Sequence, residues 1–378
     1  MALRLTGSID VSDSITSTHF SGSFSGSFQG DGSGLTGIDV FPYTGSAEIT
    51  GSAEITGSVS FSGLISPSAT WSTGGALSTA RKDLGGLGTQ TAGLAFGGYG
   101  GYTSTEEYNG TTWGSGGALP TPRLYLSGAG TQTAGLAMGG SYFGSYKNST
   151  NEYDGASWSA GGNLITGRFT LGAAGTQTAG LAFGGFDSGV TFSCTEEYNG
   201  ATWSSAGVGP LLTARYYLAG AGTQNAGLAF SGNGSNNVCT EEYNGATWTA
   251  GDPLATARDN LAGAGTQTAG LAFGGYSGGY SSCTEEYDGS SWTAGGAMAT
   301  GRSTLAGAGT QTAGLAFGGY SGGYSSCTEE YNKSPGGFGT TFDYSPTTGN
   351  TMIIPPTSDP GIVGALWNNS GTLAISVG

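Results

Sequence analysis

The apolar and polar positions of this chain recur in one short phrase. GTQTAGLAFGG at 88–98 returns five more times with few changes. Its phrases begin at Thr89, Thr131, Thr176, Thr223, Thr266 and Thr310. Five of the six pair a polar Thr-Gln-Thr lead with an apolar run that a glycine pair stops. Such a run is too short for a buried helix, and glycine at this density penalises helix. It predicts a short buried strand. A second phrase, of the form CTEEYNG, ends at Tyr108, Tyr153, Tyr198, Tyr243, Tyr287 and Tyr331 and closes on Asn-Gly or Asp-Gly in most units. Those dipeptides are the strongest short hairpin signals. A Trp follows the first five of those tyrosines by five residues, at Trp113, Trp158, Trp203, Trp248 and Trp292, in short stretches such as ATWTA. Upstream of each apolar phrase stands one arginine: Arg81, Arg123, Arg168, Arg215, Arg258 and Arg302. It leads a stretch such as RSTLAGAG, the fourth strand of the unit.

The tyrosines are spaced 45, 45, 45, 44 and 44 residues apart. A fixed period of that size marks a repeat architecture, and four short strands per period suit a propeller blade. The glycine pair, the spaced Tyr with Asn or Asp, the Trp and the Arg together resemble the kelch repeat over roughly Trp71 to Tyr331. The resemblance implies an all-β, six-bladed kelch-like propeller. The fourth unit departs from the pattern, with Ser231-Gly232 in place of the glycine pair. One Trp strand, at Trp71, precedes the first apolar phrase, and no Trp follows Tyr331 at the expected place. The orphan strand therefore closes the ring by completing the last blade, which removes the open edges of a stacked solenoid.

The recurrent Trp and Tyr belong to the blade cores, since a binding site breaks a repeat. The recurrent Arg is expected to pair with a recurrent Glu such as Glu197 or Glu286. Cys194, Cys239, Cys283 and Cys327 occupy one position in four units, where Ser104 and Ser149 stand in the first two. Equivalent positions in adjacent blades are too far apart for a disulfide, so the cysteines read as free, small and buried. The variable text lies between the glycine pair and the next strand. These loops are rich in Tyr, Phe, Ser, Gly and Asn, a composition suited to recognition surfaces and sugar stacking. The candidate surface-binding residues are Tyr99, Tyr102, Tyr142, Phe143, Tyr146, Phe186, Phe192, Tyr276, Tyr280, Tyr320 and Tyr324.

Composition narrows the function. The chain has 10 Lys plus Arg against 25 Asp plus Glu, for a net charge of -15. Such a surface repels nucleic acid. No stretch is apolar enough to span a membrane, and the start has no apolar signal core. His19 is the sole histidine. It cannot supply the ligands of a copper radical oxidase, so no cofactor or metal is expected. Acids that recur in every unit read as structural rather than as a paired glycosidase site, and the unrepeated Asp187 and Asp252 add little. No catalytic residue is expected, and the chain reads as a non-enzyme.

Three segments are expected: 1–70, a β-rich attachment or shaft-like region; 71–333, the propeller; and 334–378, a C-terminal β segment. ITGSAEITGSVSF at 49–61 alternates apolar and polar positions strictly. It is too thin to bury its apolar face alone, which implies packing against other copies, with a trimer as the candidate state. With GDGSGLTG, the N-terminal text resembles shaft and attachment segments of tailed-phage structural proteins, marine phages especially. The end, LWNNSGTLAISVG, resembles the last segment of phage virion proteins and reads as a hairpin turning at Asn368 to Gly371. These resemblances imply a virion location and a tail fibre, tail-associated or capsid decoration role. They also imply contacts to other virion proteins through residues 1–70 and host-surface glycans as a candidate ligand. The alternatives are a non-viral, lectin-like surface-binding module and a propeller enzyme.

Overall fold

The computed structural model describes residues 69–333, apart from 147 and 234–237, together with two strands near the C-terminus. Of the expected β region at 1–70, residues 1–68 lie outside the described residues, and Ala69 and Thr70 belong to a propeller strand. The repeat forms six antiparallel four-stranded sheets. Blade one runs through Gly85–Gly88, Gly93–Phe96, Thr105–Tyr108 and Trp113–Ser115. Blade six takes three strands from the last unit, Ala306–Gly309, Ala313–Phe317 and Thr328–Lys333. Its fourth is Ala69–Thr73, which pairs antiparallel with Trp71 opposite Tyr331. The ring therefore closes as its strand count predicts. The first strands of neighbouring blades contact one another around a central axis. Near the C-terminus, Leu366–Asn369 pairs with Thr372–Ile375. The hairpin exists, but Asn368 lies within its strand, opposite Leu373, so the turn is tighter than the sequence suggests.

The phrase GTQTAGLAFGG is the joint between blades. Its Leu-Ala-Phe core is fully buried; Leu94, Ala95 and Phe96 are all at 0% exposure. Its Gln reaches back to the preceding blade. Gln224 Nε2 donates to the carbonyls of Gly180 and Tyr198 at 3.0 and 2.7 Å, and the other five glutamines do the same. The recurrent Trp indole donates to a threonine hydroxyl of the preceding blade at 2.9 Å in all six blades, Trp71 to Thr284 included. Each buried Tyr donates its hydroxyl to a glutamate of the preceding blade, as Tyr243 does to Glu197 at 2.9 Å. Six copies of one phrase thus make six copies of one interface, and closure satisfies the last against the first.

Each arginine is buried at the heart of its blade. Its partner is not the glutamate expected. Glu197 and Glu286 accept the tyrosine hydroxyls of the following blade. Arginine instead pairs with the first acid of the phrase: Arg81 with Glu106 at 2.9 Å, Arg168 with Glu196 at 2.7 Å, Arg215 with Glu241 at 3.0 Å and Arg302 with Glu329 at 2.8 Å; Arg258 pairs with Glu285. Strand alternation decides this, because the two acids of Glu-Glu face opposite sides of the sheet. Arg123 has no acid opposite it and binds Asn151. The cysteines are less buried than expected. Cys194, Cys239 and Cys283 are half-buried, and Cys327 is exposed; all four are free of disulfides.

The glycine pair ends the second strand where the chain must pass hard against the next element. A Cβ at Gly98 would lie 2.7 Å from the Lys82 carbonyl and from Leu84 Cβ. Blade four manages with Ser231 at φ 66°. In the other blades the second glycine's N–H caps the arginine carbonyl of the next blade, as Gly98 caps Arg123 at 2.9 Å. Ser231 supplies its hydroxyl to the Arg258 carbonyl instead.

Candidate functional site at the axial mouth

Each innermost strand begins four residues after its arginine, on the face where the second strand ends, and the chain bends two residues before that start. The residues at that point are Asp83, Tyr125, Thr170, Tyr217, Asn260 and Thr304. All six lie at positive φ, between 51° and 59°. They join in a closed ring of backbone hydrogen bonds around the axis. Each N–H donates to the carbonyl of the residue before it in the ring: Tyr125 to Asp83 at 2.8 Å, and so on to Asp83, which donates to Thr304 at 3.0 Å. A left-handed backbone costs a side-chain-bearing residue about 1 kcal/mol, and glycine is free of that cost. The chain holds 77 glycines, yet none of these six positions has one. The side chains are therefore what the ring keeps, and strain of this kind gathers at functional sites.

These six residues line the mouth of an axial channel of about 230 Å³. The mouth has two halves. Blades two, three and four contribute a packed aromatic wall. Tyr125 meets Phe169 at 5.7 Å and Tyr217 at 6.2 Å, and Phe186 meets Phe169 at 5.6 Å and Tyr216 at 4.9 Å. Blades five, six and one contribute Asp259, Asn260, Ser303, Thr304, Lys82 and Asp83.

Asp83 is the chemical centre of the polar half. It is 6% exposed, and neither carboxylate oxygen has a well-formed hydrogen bond. Lys82 Nζ lies 3.6 Å from Oδ2. Burial pushes the Asp83 carboxyl up to about 6; Lys82 and the nearby hydroxyls of Tyr125 and Thr304 offset only part of that. Thr304 Oγ1 is a further buried oxygen without a well-formed hydrogen bond. Burial, with the Asp83 charge next, raises Tyr125 above its ordinary range and Tyr217 to about 12. Both phenols stay protonated and able to donate. By contrast, Asp259 Oδ1 accepts a hydrogen bond from Asn260 at 2.8 Å. The mouth thus holds a carboxyl, Asp83, that burial pushes up beside two phenols that keep their protons.

The loop aromatics singled out in the sequence surround this mouth on the same face. Tyr99, Tyr102, Tyr142, Phe143, Tyr276, Tyr280, Tyr320 and Tyr324 form one string of ring contacts. Phe186 joins the wall of the mouth instead. Phe192 is half-buried outside the string, its N–H bonded to the Gly185 carbonyl at 2.9 Å. Tyr146 sits in the strand Ser145–Tyr146, and its side chain lies outside the described residues. Asp187 stands in the loop strand Phe186–Asp187, where Ser188 donates to it. Asp252 is exposed. Among the described residues no cluster of three His, Cys, Asp or Glu side chains could hold a metal. The six-residue ring is missing from the sequence-derived candidates. Its signal was there: the two residues after each recurrent arginine change chemistry from unit to unit, between the fixed arginine and a fixed leucine.

No family model matches the chain, and no curated protein matches it in sequence. Among solved structures it is similar to that of YjhT, with a TM-score of 0.58 and 13% identity, over 68% of this chain and 96% of that one. At that identity the likeness carries the fold, an all-β six-bladed propeller. It also corrects the phage-based expectations. The likeness takes in 96% of that chain and is a likeness of the propeller fold. Nothing in this likeness ties the fold to a particle, so the virion structural role and virion location do not stand. The exclusion of an enzyme falls with them, because a propeller of this fold with a buried carboxyl, Asp83, in its axial ring needs neither histidine nor a repeated acid pair. Among the described residues no helix is long and apolar enough to cross a membrane.

Proposed function

We propose that the protein acts on sugars, binding one unit at the axial mouth, where Asp83 moves a proton to and from the ligand. One observation carries this reading: Asp83 is a buried carboxyl without a well-formed hydrogen bond, in a ring whose strained backbone keeps side chains where glycine would be easier. A sugar has a hydroxyl edge and an apolar C–H face. The mouth offers donors and acceptors from blades five, six and one, and a packed aromatic wall from blades two to four. Asp83 accepts a proton in its ionised form and returns it in its neutral form; Tyr125 and Tyr217 donate to the oxygen that gains charge. A glycosidase of the usual kind uses two carboxyls that flank the bond. Here the other acid of the mouth, Asp259, is two blades away and already holds Asn260. That favours a reaction in which a single group shuttles a proton.

The test is a panel of neutral mono- and oligosaccharides, followed by proton NMR in heavy water with the full chain. The wild type is expected to exchange a proton or release a product from at least one sugar. Asp83→Asn should lose on the order of 100-fold or more in rate while still binding it. If Asp83→Asn turns over like the wild type, the role assigned to Asp83 is wrong. If sugars bind but none is changed, the lectin-like reading replaces this one.

A further inference from the structure

The axial channel, at about 230 Å³, is smaller than pockets that engulf a drug-sized ligand. It takes a single small unit, so anything longer must lie on the face outside. There the tyrosine string runs along an arc. Its centroid spacings are 5.9 Å from Tyr276 to Tyr280, 5.6 Å to Tyr320, 6.2 Å to Tyr324 and 5.4 Å to Tyr99. It continues for 5.4 Å to Tyr102, 5.3 Å to Tyr142 and 4.3 Å to Phe143. The arc crosses three blade boundaries, from blade five through six and one to two.

We propose that this arc is a platform for a linear, uncharged oligosaccharide or polysaccharide several units long. The proposal rests on the sugar reading of the mouth and names the class of substrate. Four observations support it. The steps between tyrosines resemble the length of one hexose unit, so successive units meet successive rings. Most of the rings pack edge to face and are held by their neighbours, so a ligand orders little on binding. Tyr99, Tyr276, Tyr280 and Tyr324 are between 42% and 45% exposed, so roughly half of each ring is free. The loops at 97–104, 274–283 and 318–327 hold no charged residue, and the net charge of -15 disfavours an anionic polymer. The strip is one ring wide and tipped with hydroxyls. It lacks the broad apolar centre of a protein interface, whereas a sugar chain offers hydroxyls and C–H faces in alternation.

The arc also joins the mouth. Lys82 Nζ lies 5.1 Å from the Tyr320 ring and 3.6 Å from Asp83. Ala69 pairs with Lys333 at the far end of the outermost strand of blade six. The chain therefore joins and leaves the propeller on the opposite face, and the platform is turned away from those two points.

Calorimetric titration of the full chain with cello-, xylo- and manno-oligosaccharides, from disaccharide to octasaccharide, tests this. In at least one series affinity should rise with length. Tyr99→Ala and Tyr324→Ala should each bind the octasaccharide about tenfold more weakly, leave the disaccharide unchanged, and be rescued by Phe at the same position. Affinity independent of length, no binding in any series, or arc variants that bind the octasaccharide like the wild type would overturn the proposal. Asp83→Asn separates the two readings. It should retain the length dependence and lose only turnover. If turnover survives Asp83→Asn while the arc variants still weaken binding, the arc stands and the assignment of Asp83 falls.

Discussion

Blade two and the other five blades solve one problem differently. In five blades the buried guanidinium faces a glutamate. One oxygen of that glutamate takes the arginine. The other takes a backbone N–H: Ser78, Ile165, Leu212 and Ala255 at 2.7 Å, and Ala299 at 2.6 Å. In blade two Asn151 stands in place of that glutamate, and the residue that would supply the N–H is Pro120. Proline has no N–H, so a carboxylate there would leave one oxygen unpaired in a buried place. Asn151 answers both demands. Its oxygen accepts from Arg123, and its amide donates to the Ser159 carbonyl at 3.1 Å. The charge has no counter-ion, and burial holds the Arg123 guanidinium down to about 10. A repeat can thus exchange a residue only together with its partner; Asn151 and Pro120 read as one substitution.

The largest effect should come from breaking a complete blade. Glu241→Ala leaves Arg215 buried without its acid and the Leu212 N–H without its acceptor. A loss of about 3–5 kcal/mol is expected in denaturant unfolding of the full chain. A loss below 1 kcal/mol would mean the buried pair contributes little. The reverse change in blade two is a smaller and coupled one. Asn151→Glu alone gains a counter-ion for Arg123 but strands an oxygen over Pro120. Adding Pro120→Ala should restore the N–H and stabilise by about 1–2 kcal/mol beyond the sum of the single changes. Additive effects would separate the two positions.

Asp83 should give the pH dependence. Its folded value of about 6 lies above the ordinary aspartate value. Between about pH 4 and pH 6 the folded chain binds more protons than the unfolded one, so this group's contribution to stability falls as pH rises through that window. Lys82 and the hydroxyls of Tyr125, Tyr217 and Thr304 face it. The change is about 2–3 kcal/mol in full, and Asp83→Asn should flatten it. The smallest effect concerns the blade joints. Gln224→Ala removes two bonds to the carbonyls of blade three and should cost about 1–2 kcal/mol, seen as a modest shift in melting temperature.

Blade two also shows what was legible in the sequence. The strands, the six-fold count and the closure by the Trp71 strand follow from period, turn dipeptides and one orphan Trp. The arginine's partner was misread because Glu-Glu offers two acids and only strand alternation tells them apart. The mouth was missed because the aromatic loops after the glycine pair carry the more conspicuous variation between units. Asp83 and its five equivalents sit inside a near-constant phrase, between Arg and Leu, and nothing local marks their left-handed backbone. The phage resemblance rested on a few tens of residues outside the propeller, and the fold match does not carry it.

The account rests most heavily on Asp83. The direct measurement is its titration by carboxylate NMR in the aspartate-labelled full chain, assigned with Asp83→Asn, alone and with the best-binding saccharide. The account predicts a midpoint of about 6 in the free protein. It also predicts that the saccharide, and not an unrelated polar solute, moves that midpoint. A midpoint in the ordinary aspartate range of about 4, unchanged by every saccharide that binds, would contradict it.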